Sequence, residues 1–174
     1  MIPSCSQNIT KAQDIFAVDV SEVYSEPRAT LQASKHRMRP GSALDLATGW
    51  DFARASERKR SDKLLRKEDP SLVILSPPCT ARSRIRSLTN AKRDPAAIAA
   101  EKEDTRRHLA FAVKIALWQY RRGKGFLLER PAGTGELEEE ELRSLAVLPG
   151  VSAVMESDRP KLVSACPQKL NSDH

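Results

Sequence analysis

The stretch Leu72-Val73-Ile74-Leu75-Ser76-Pro77-Pro78-Cys79 decides how this chain is read. Four consecutive apolar residues form the continuous run expected of a central parallel strand buried on both faces. Two prolines then remove backbone donors, so ladder pairing stops abruptly before Cys79. Upstream, Ile15 to Tyr24 is β-branched and partly alternating, a first strand closed by Ser25-Glu26-Pro27. Ala29 to Arg37 reads as a short helix stopped by Pro40-Gly41, and Ser42 to Leu46 as a second strand running into a turn at Thr48-Gly49. Phe52 to Glu68 holds seven Lys/Arg against three Asp/Glu, with Phe52, Ala55, Leu64 and Leu65 as its apolar anchors. That pattern predicts an exposed helix lying over one face of a sheet.

Downstream, the longest helix carries its own punctuation. Asp94 is a cap, Pro95 sits in the first turn, and Gly123 follows Arg121 and Arg122. Its second half, Leu109 to Leu117, is apolar almost all round and should pack on a sheet. Phe126 to Glu129 reads as a buried strand, Leu137 to Leu148 as an acidic helix and Val151 to Met155 as a last strand, while Pro160 to His174 carries no structural signal. This β-α alternation predicts a three-layer, Rossmann-like α/β sandwich with a mostly parallel sheet of about five strands. The expected boundaries are a flexible N-terminus over 1–14, one α/β domain over 15–157 and an irregular tail over 158–174.

The 174 residues suit one domain, and Leu, Ile, Val and Phe make up only about a fifth of them, so the core is lean. No apolar run approaches the ~18 residues of a membrane span, and the first 17 residues lack the apolar segment of a signal peptide. Both features predict a soluble, intracellular protein. Cys5, Cys79 and Cys166 are too few and too scattered for a disulfide framework or a zinc knuckle. A net charge of +6 leans toward polyanionic partners such as nucleic acid.

In parallel sheets ligands bind beyond the carboxyl ends of the strands, and that is where the unusual residues fall. Cys79 follows two prolines, with Arg82, Arg84 and Arg86 beside it to favour a thiolate, although Cys is also a common small apolar filler. Glu129 ends an apolar strand, where a carboxylate is costly unless paired. It either orients a substrate ring or makes an ion pair with Arg130 or the arginines after Cys79. Asp45 either grips a ribose hydroxyl or caps the Thr48-Gly49 bend. The first loop, Tyr24-Ser25-Glu26-Pro27-Arg28, has no glycine for close backbone approach to a cofactor. Arg58–Arg60 reads chiefly as a solvated face, and His108 as a partly buried structural histidine.

Pro78-Cys79-Thr80-Ala81-Arg82-Ser83 resembles the Pro-Cys-Gln-x-Phe-Ser segment of DNA cytosine-5 methyltransferases. The resemblance implies that Cys79 attacks cytosine C6. It also implies that Glu129, in Leu128-Glu129-Arg130-Pro131, contacts the base edge as the Glu of the family's Glu-Asn-Val segment does. Val18 to Tyr24 and its loop resemble the motif that binds S-adenosylmethionine, which implies cofactor contacts from Tyr24, Ser25, Asp45 and Pro77. Arg82, Ser83, Arg84 and Arg86 would then meet nucleic acid, DNA by the resemblance, with a nuclear location in keeping.

Ser-Pro-Pro-Cys-Thr, a long helix and then Phe-Leu-x-Glu-x-Pro is closer still to divergent methyltransferase-like chains found beside retroelement polyproteins. The likeness spans roughly Val18 to Ser157. Thr80 and Arg82 stand where the family has Gln and Phe, a β-α unit is missing between Arg28 and Leu72, and the late motifs are not reached. An inactive nucleic-acid-binding module of a mobile-element polyprotein is therefore the alternative expectation. Ser76-Pro77-Pro78 also resembles the Ser-Pro-Pro-Tyr motif of amino-methyltransferases, but Cys79 cannot stack on a base as that aromatic residue does.

Overall fold

The computed structural model describes residues 17–78, 93–130, 142–154 and 161–165. They form a Rossmann-like α/β sheet with strand order β2-β1-β3-β4-β6-β5. β1 (Val20–Val23), β2 (Pro40–Leu44), β3 (Leu72–Leu75) and β4 (Gly125–Arg130) are mutually parallel. β6 (Lys161–Ala165) runs antiparallel to both β4 and β5 (Val151–Val154). The helices are α1 (Ala29–Ala33), α2 (Ala55–Glu68) and α3 (Pro95–Arg121), with a further helical turn over 142–146. One helix–strand–helix passage therefore links β1 to β3.

Alternation along β1 places the layers. Ser21 donates to the α2 carboxylate Glu68 at 3.0 Å, whereas the next residue, Glu22, is bonded to the start of α1. Adjacent strand residues face opposite ways, so α1 and α2 cover opposite faces. On the α2 face, Val23, Val73, Leu75, Phe126 and Leu128 join Leu65, Leu109, Ala112 and Ile115 in one buried cluster. The other face is thinner. Leu72 and Ile74 are only half-buried, because α1 has five residues and packs on β1 and β2. The expectation that β3 is buried on both faces is met on one.

The long helix begins and ends as its sequence punctuation predicts. Asp94 accepts from the Ala96 amide at 3.0 Å, Pro95 opens the helix, and Gly123 takes a left-handed φ of 67° just beyond it. At the amino edge of the sheet, Gln119 Nε2 donates to the carbonyls of Pro70 and Gly125 at 3.1 and 3.2 Å. His108 reaches the carboxyl edge. The 27-residue helix is ~40 Å long against ~13 Å for a four-residue strand, so Pro95 to Arg107 projects ~20 Å past the sheet.

Two expectations need correction. The tail over 158–174, expected to be irregular, contains β6, inserted between β4 and β5, so the described residues form a sheet of six strands and Val151–Val154 is not the last of them; the rest of the tail lies outside the described residues. Of the first strand expected over Ile15 to Tyr24, β1 covers Val20–Val23, residues 17–19 and Tyr24 fall outside the strand, and residues 15–16 lie outside the described residues. Of the acidic helix, 142–146 is helical and residues 137–141 lie outside the described residues.

Candidate functional site

The chain leaves β1 toward β2 on one side and returns to β3 on the other, so β1 and β3 flank the point where strand order reverses. Crevices at that point, beyond the carboxyl ends, are where open α/β sheets bind ligands. Here a cavity of about 250 Å³ opens, lined among others by Tyr24, Asp45, Trp50, Phe52, Ser76 and His108.

Tyr24 forms its floor at some cost. Its φ of 63° lies in the left-handed region that an aromatic residue rarely adopts. Tertiary packing holds it there. Its ring centroid sits 4.6 Å from Phe52, 5.4 Å from His108 and 6.4 Å from Phe111. The Tyr24 hydroxyl lies 3.0 Å from His108 Nδ1, and His108 Nε2 lies 3.4 Å from an Asp104 carboxylate oxygen. Burial pushes the His108 imidazole below its usual value, although Asp104 pulls the other way. Burial also raises the Tyr24 phenol. The assignment that satisfies all three groups is a neutral imidazole, with Nδ1 accepting from the phenol and Nε2–H donating to Asp104. His108 is buried, with a partner at each ring nitrogen, and it also lines the cavity. Eighty-four residues separate it from Tyr24, so no local pattern could have joined them.

Asp45 caps the bend, as one of its two sequence readings predicts. Its side chain accepts from the Ala47 amide at 2.9 Å, while Thr48 closes the reciprocal half of a capping box before Gly49 at φ 88°. The same side chain lines the cavity. Asp51, also on the wall, accepts from the Ala53 amide at 3.1 Å and pairs with Arg54 at 3.0 Å. Pro77 is buried between Ser76 and Pro78, both of which line the cavity. Ser25 is turned elsewhere, donating to Glu22 at 3.2 Å and to the Glu26 carbonyl at 2.9 Å.

The parallel register pairs Leu75 with Leu128, so Ser76, just past β3, stands beside Glu129, which is still within β4 and paired with Leu162 of β6. Ser76 Oγ donates to a Glu129 carboxylate oxygen at 3.4 Å. Cys79 stands three residues beyond Ser76 in sequence. It lies outside the described residues, as do Arg82, Ser83, Arg84 and Arg86.

Glu22 is the feature that sequence reasoning missed. It is 1% exposed, and its carboxylate accepts from the amides of Arg28, Ala29 and Thr30 at 3.1, 3.1 and 2.8 Å and from Thr30 Oγ1 at 2.6 Å. Burial alone would raise its pKa, but these bonds together hold it below the usual carboxylate value. The amides that open α1 are therefore already served by an anion from β1. A cofactor's carboxylate or phosphate does not belong there.

The rest of the site is aromatic and acidic. Aromatic rings form the walls, Asp45 offers a carboxylate, and no Lys or Arg lines the cavity among the described residues. Of the two lining carboxylates, Asp51 is paired with Arg54 and Asp45 serves as a cap. The volume lies just below the ~300–1,000 Å³ of sites for drug-sized ligands. No group of three or more potential metal ligands occurs among the described residues. No known protein family matches the sequence, and no curated protein resembles it at a significant level.

Proposed function

We propose that this chain is a DNA cytosine-5 methyltransferase-like domain that binds S-adenosylmethionine at the β1/β3 crevice. The observation that carries the reading is the adjacency of two things: a carboxylate-bearing cavity that no Lys or Arg lines among the described residues, and the contact of Ser76, on the segment leading to Cys79, with Glu129. S-adenosylmethionine supplies an activated methyl group. The chain's own residues do the rest. Asp45 would hold the ribose hydroxyls, and Tyr24, Trp50 and Phe52 would enclose the adenosine. Glu129 would hydrogen-bond the edge of a cytosine flipped from its stack; the Cys79 thiolate would add to ring C6 and open the C5–C6 double bond, C5 would take the methyl group, and loss of the C5 proton would then expel the thiolate. In this reading the protein belongs to the nucleic-acid machinery of a retroelement polyprotein and works in the nucleus.

The test is covalent trapping on DNA containing 5-fluorocytosine, with S-adenosylmethionine present. An adduct that forms with the wild type, weakens in Glu129→Gln and vanishes in Cys79→Ala supports the proposal. A folded wild type that forms no adduct overturns it.

One observation favours a second reading, an inactive nucleic-acid-binding module. Glu22 fills the amide cluster at the start of α1 with an internal anion, where a cofactor-binding loop would leave those donors for its ligand. Under that reading nucleic acid binding falls steeply with salt and Cys79→Ala changes nothing.

A further inference from the structure

A second concavity lies between α2 and α3, apart from the switch-point cavity and larger, at about 650 Å³. Arg58 and Lys59 line it from α2, and Arg106, Arg107 and Lys114 line it from α3. Glu103 is the one carboxylate lining it among the described residues. Ala55 and Ala110 open the space, since neither extends past Cβ. The neighbouring carboxylates compensate little. Arg107 pairs with Asp104 at 3.0 Å and Lys114 with Asp62 at 3.5 Å, both cations being about half exposed, and such pairs contribute ~0–1 kcal/mol each. A ligand phosphate can share or replace these partners at small cost.

The groove runs toward the site already described. Glu103 to Lys114 covers ~16 Å of helix at 1.5 Å per residue, about the rise of five nucleotides in one strand of duplex at ~3.4 Å each. At its α2 end the Arg58 guanidinium donates to the carbonyls of Phe52 and Ala53 at 2.6 and 2.8 Å. Phe52 and Ala53 also line the switch-point cavity. Groove and cavity therefore share one wall, cationic on one side and acidic and aromatic on the other.

We infer that the α2–α3 groove seats the phosphodiester backbone of a nucleic acid strand and leads it to the crevice at the sheet's carboxyl edge. The choice of nucleic acid over other polyanions rests on the function proposed above, while the anion site itself rests on the groove alone. Arg58–Arg60 is thereby divided. Arg58 and Lys59 line the groove, while Arg60 is engaged with Glu57 and the Trp50 ring.

The test is fluorescence anisotropy of the full chain with labelled 20-mers of duplex DNA, single-stranded DNA and RNA across a salt series, without cofactor. The groove variant is Lys59→Ala/Arg106→Ala/Lys114→Ala. The control, Arg28→Ala/Lys35→Ala/Lys67→Ala, removes the same charge from exposed positions outside the groove. All six side chains are exposed, so both proteins should keep the wild-type melt. The plot of log affinity against log salt should be shallower by about 2–3 in the groove variant than in the control, as expected for about three lost phosphate contacts. Ala110→Glu, which puts a carboxylate on the groove floor, should weaken binding in the same direction. The relative affinities of the three probes identify the strand type. Equal slopes in the two triple variants overturn the inference. So does poly-glutamate that displaces the oligonucleotide at equal charge, since the groove would then serve an acidic protein segment. A failed trapping experiment does not touch this result, because the slope is read in the absence of cofactor and chemistry.

Discussion

Glu22→Gln keeps the shape of a fully buried side chain and removes only its charge. In the native protein both carboxylate oxygens accept. Oε1 takes the Ala29 amide and the Ser25 hydroxyl, and Oε2 takes the Thr30 amide, the Thr30 hydroxyl and the Arg28 amide. A glutamine leaves one oxygen and turns an –NH2 group toward the remaining donors. Two buried donors without partners cost ~1–3 kcal/mol each, so destabilisation of about 3 kcal/mol is expected. For a domain of this size that corresponds to ~6–12 °C in Tm. The assay is thermal unfolding by circular dichroism at pH 7 and through an acid series. The folded pKa lies below the unfolded value of ~4.3. The stabilisation by Glu22 is therefore complete above ~4.3 and lost as pH falls through the folded value. The gap between wild type and variant should accordingly close in acid. A variant melting within 2 °C of wild type at pH 7, or a gap that stays constant down to pH 3, would falsify the reasoning.

Gly41→Ala tests the tight approach of β2 to β1. An added Cβ would fall 2.2 Å from Ser21 Oγ and 2.7 Å from a Val18 methyl, beside the register shift between Val20 and Glu22, so a loss of ~1–3 kcal/mol in denaturant unfolding is expected. Unchanged stability would mean that the bulge relaxes freely. His108→Gln should flatten the dependence of Tm on pH near neutrality. Burial holds the folded imidazole below its unfolded value of ~6.5, Arg58 and Arg107 push the same way, and Asp104 opposes them. The unfolded state then binds more protons, and wild-type stability falls as pH drops through ~6.5 toward the folded value. A variant with the same pH slope as wild type would show that His108 is not the group responsible.

Much of the sheet was legible because its signals are local. The apolar run of β3 ends where two prolines forbid pairing, and the caps of α3 sit at Asp94 and Gly123 as their chemistry demands. β6 was not legible. Lys161-Leu162-Val163-Ser164-Ala165 is short and mixed, and it is a strand because β4 and β5 offer ladders on both sides. Asp45 and Tyr24 stand at strand ends, as the sequence pattern predicts, and both line the cavity. Glu22 was overlooked because a charged residue in an alternating strand reads as solvent-facing. Its donors become visible only when α1 folds back over β1. The Tyr24–His108–Asp104 chain and the α2–α3 groove join residues on separate elements, and no spacing rule reaches across such distances. The Ser76–Glu129 contact is intermediate. Sequence placed both at strand ends, and the β3/β4 register made them neighbours.

The central claim is that the β1/β3 crevice binds S-adenosylmethionine, and isothermal titration calorimetry tests it most directly. Wild type, first shown to unfold cooperatively, is titrated with S-adenosylmethionine and separately with AMP. Binding near micromolar, about −8 kcal/mol, is expected for the first and none for the second. Asp45→Asn, which keeps the turn cap but removes the charge, should weaken the first by about tenfold, ~1.4 kcal/mol. A folded protein that gives no heat with S-adenosylmethionine, or that prefers AMP, would contradict the account.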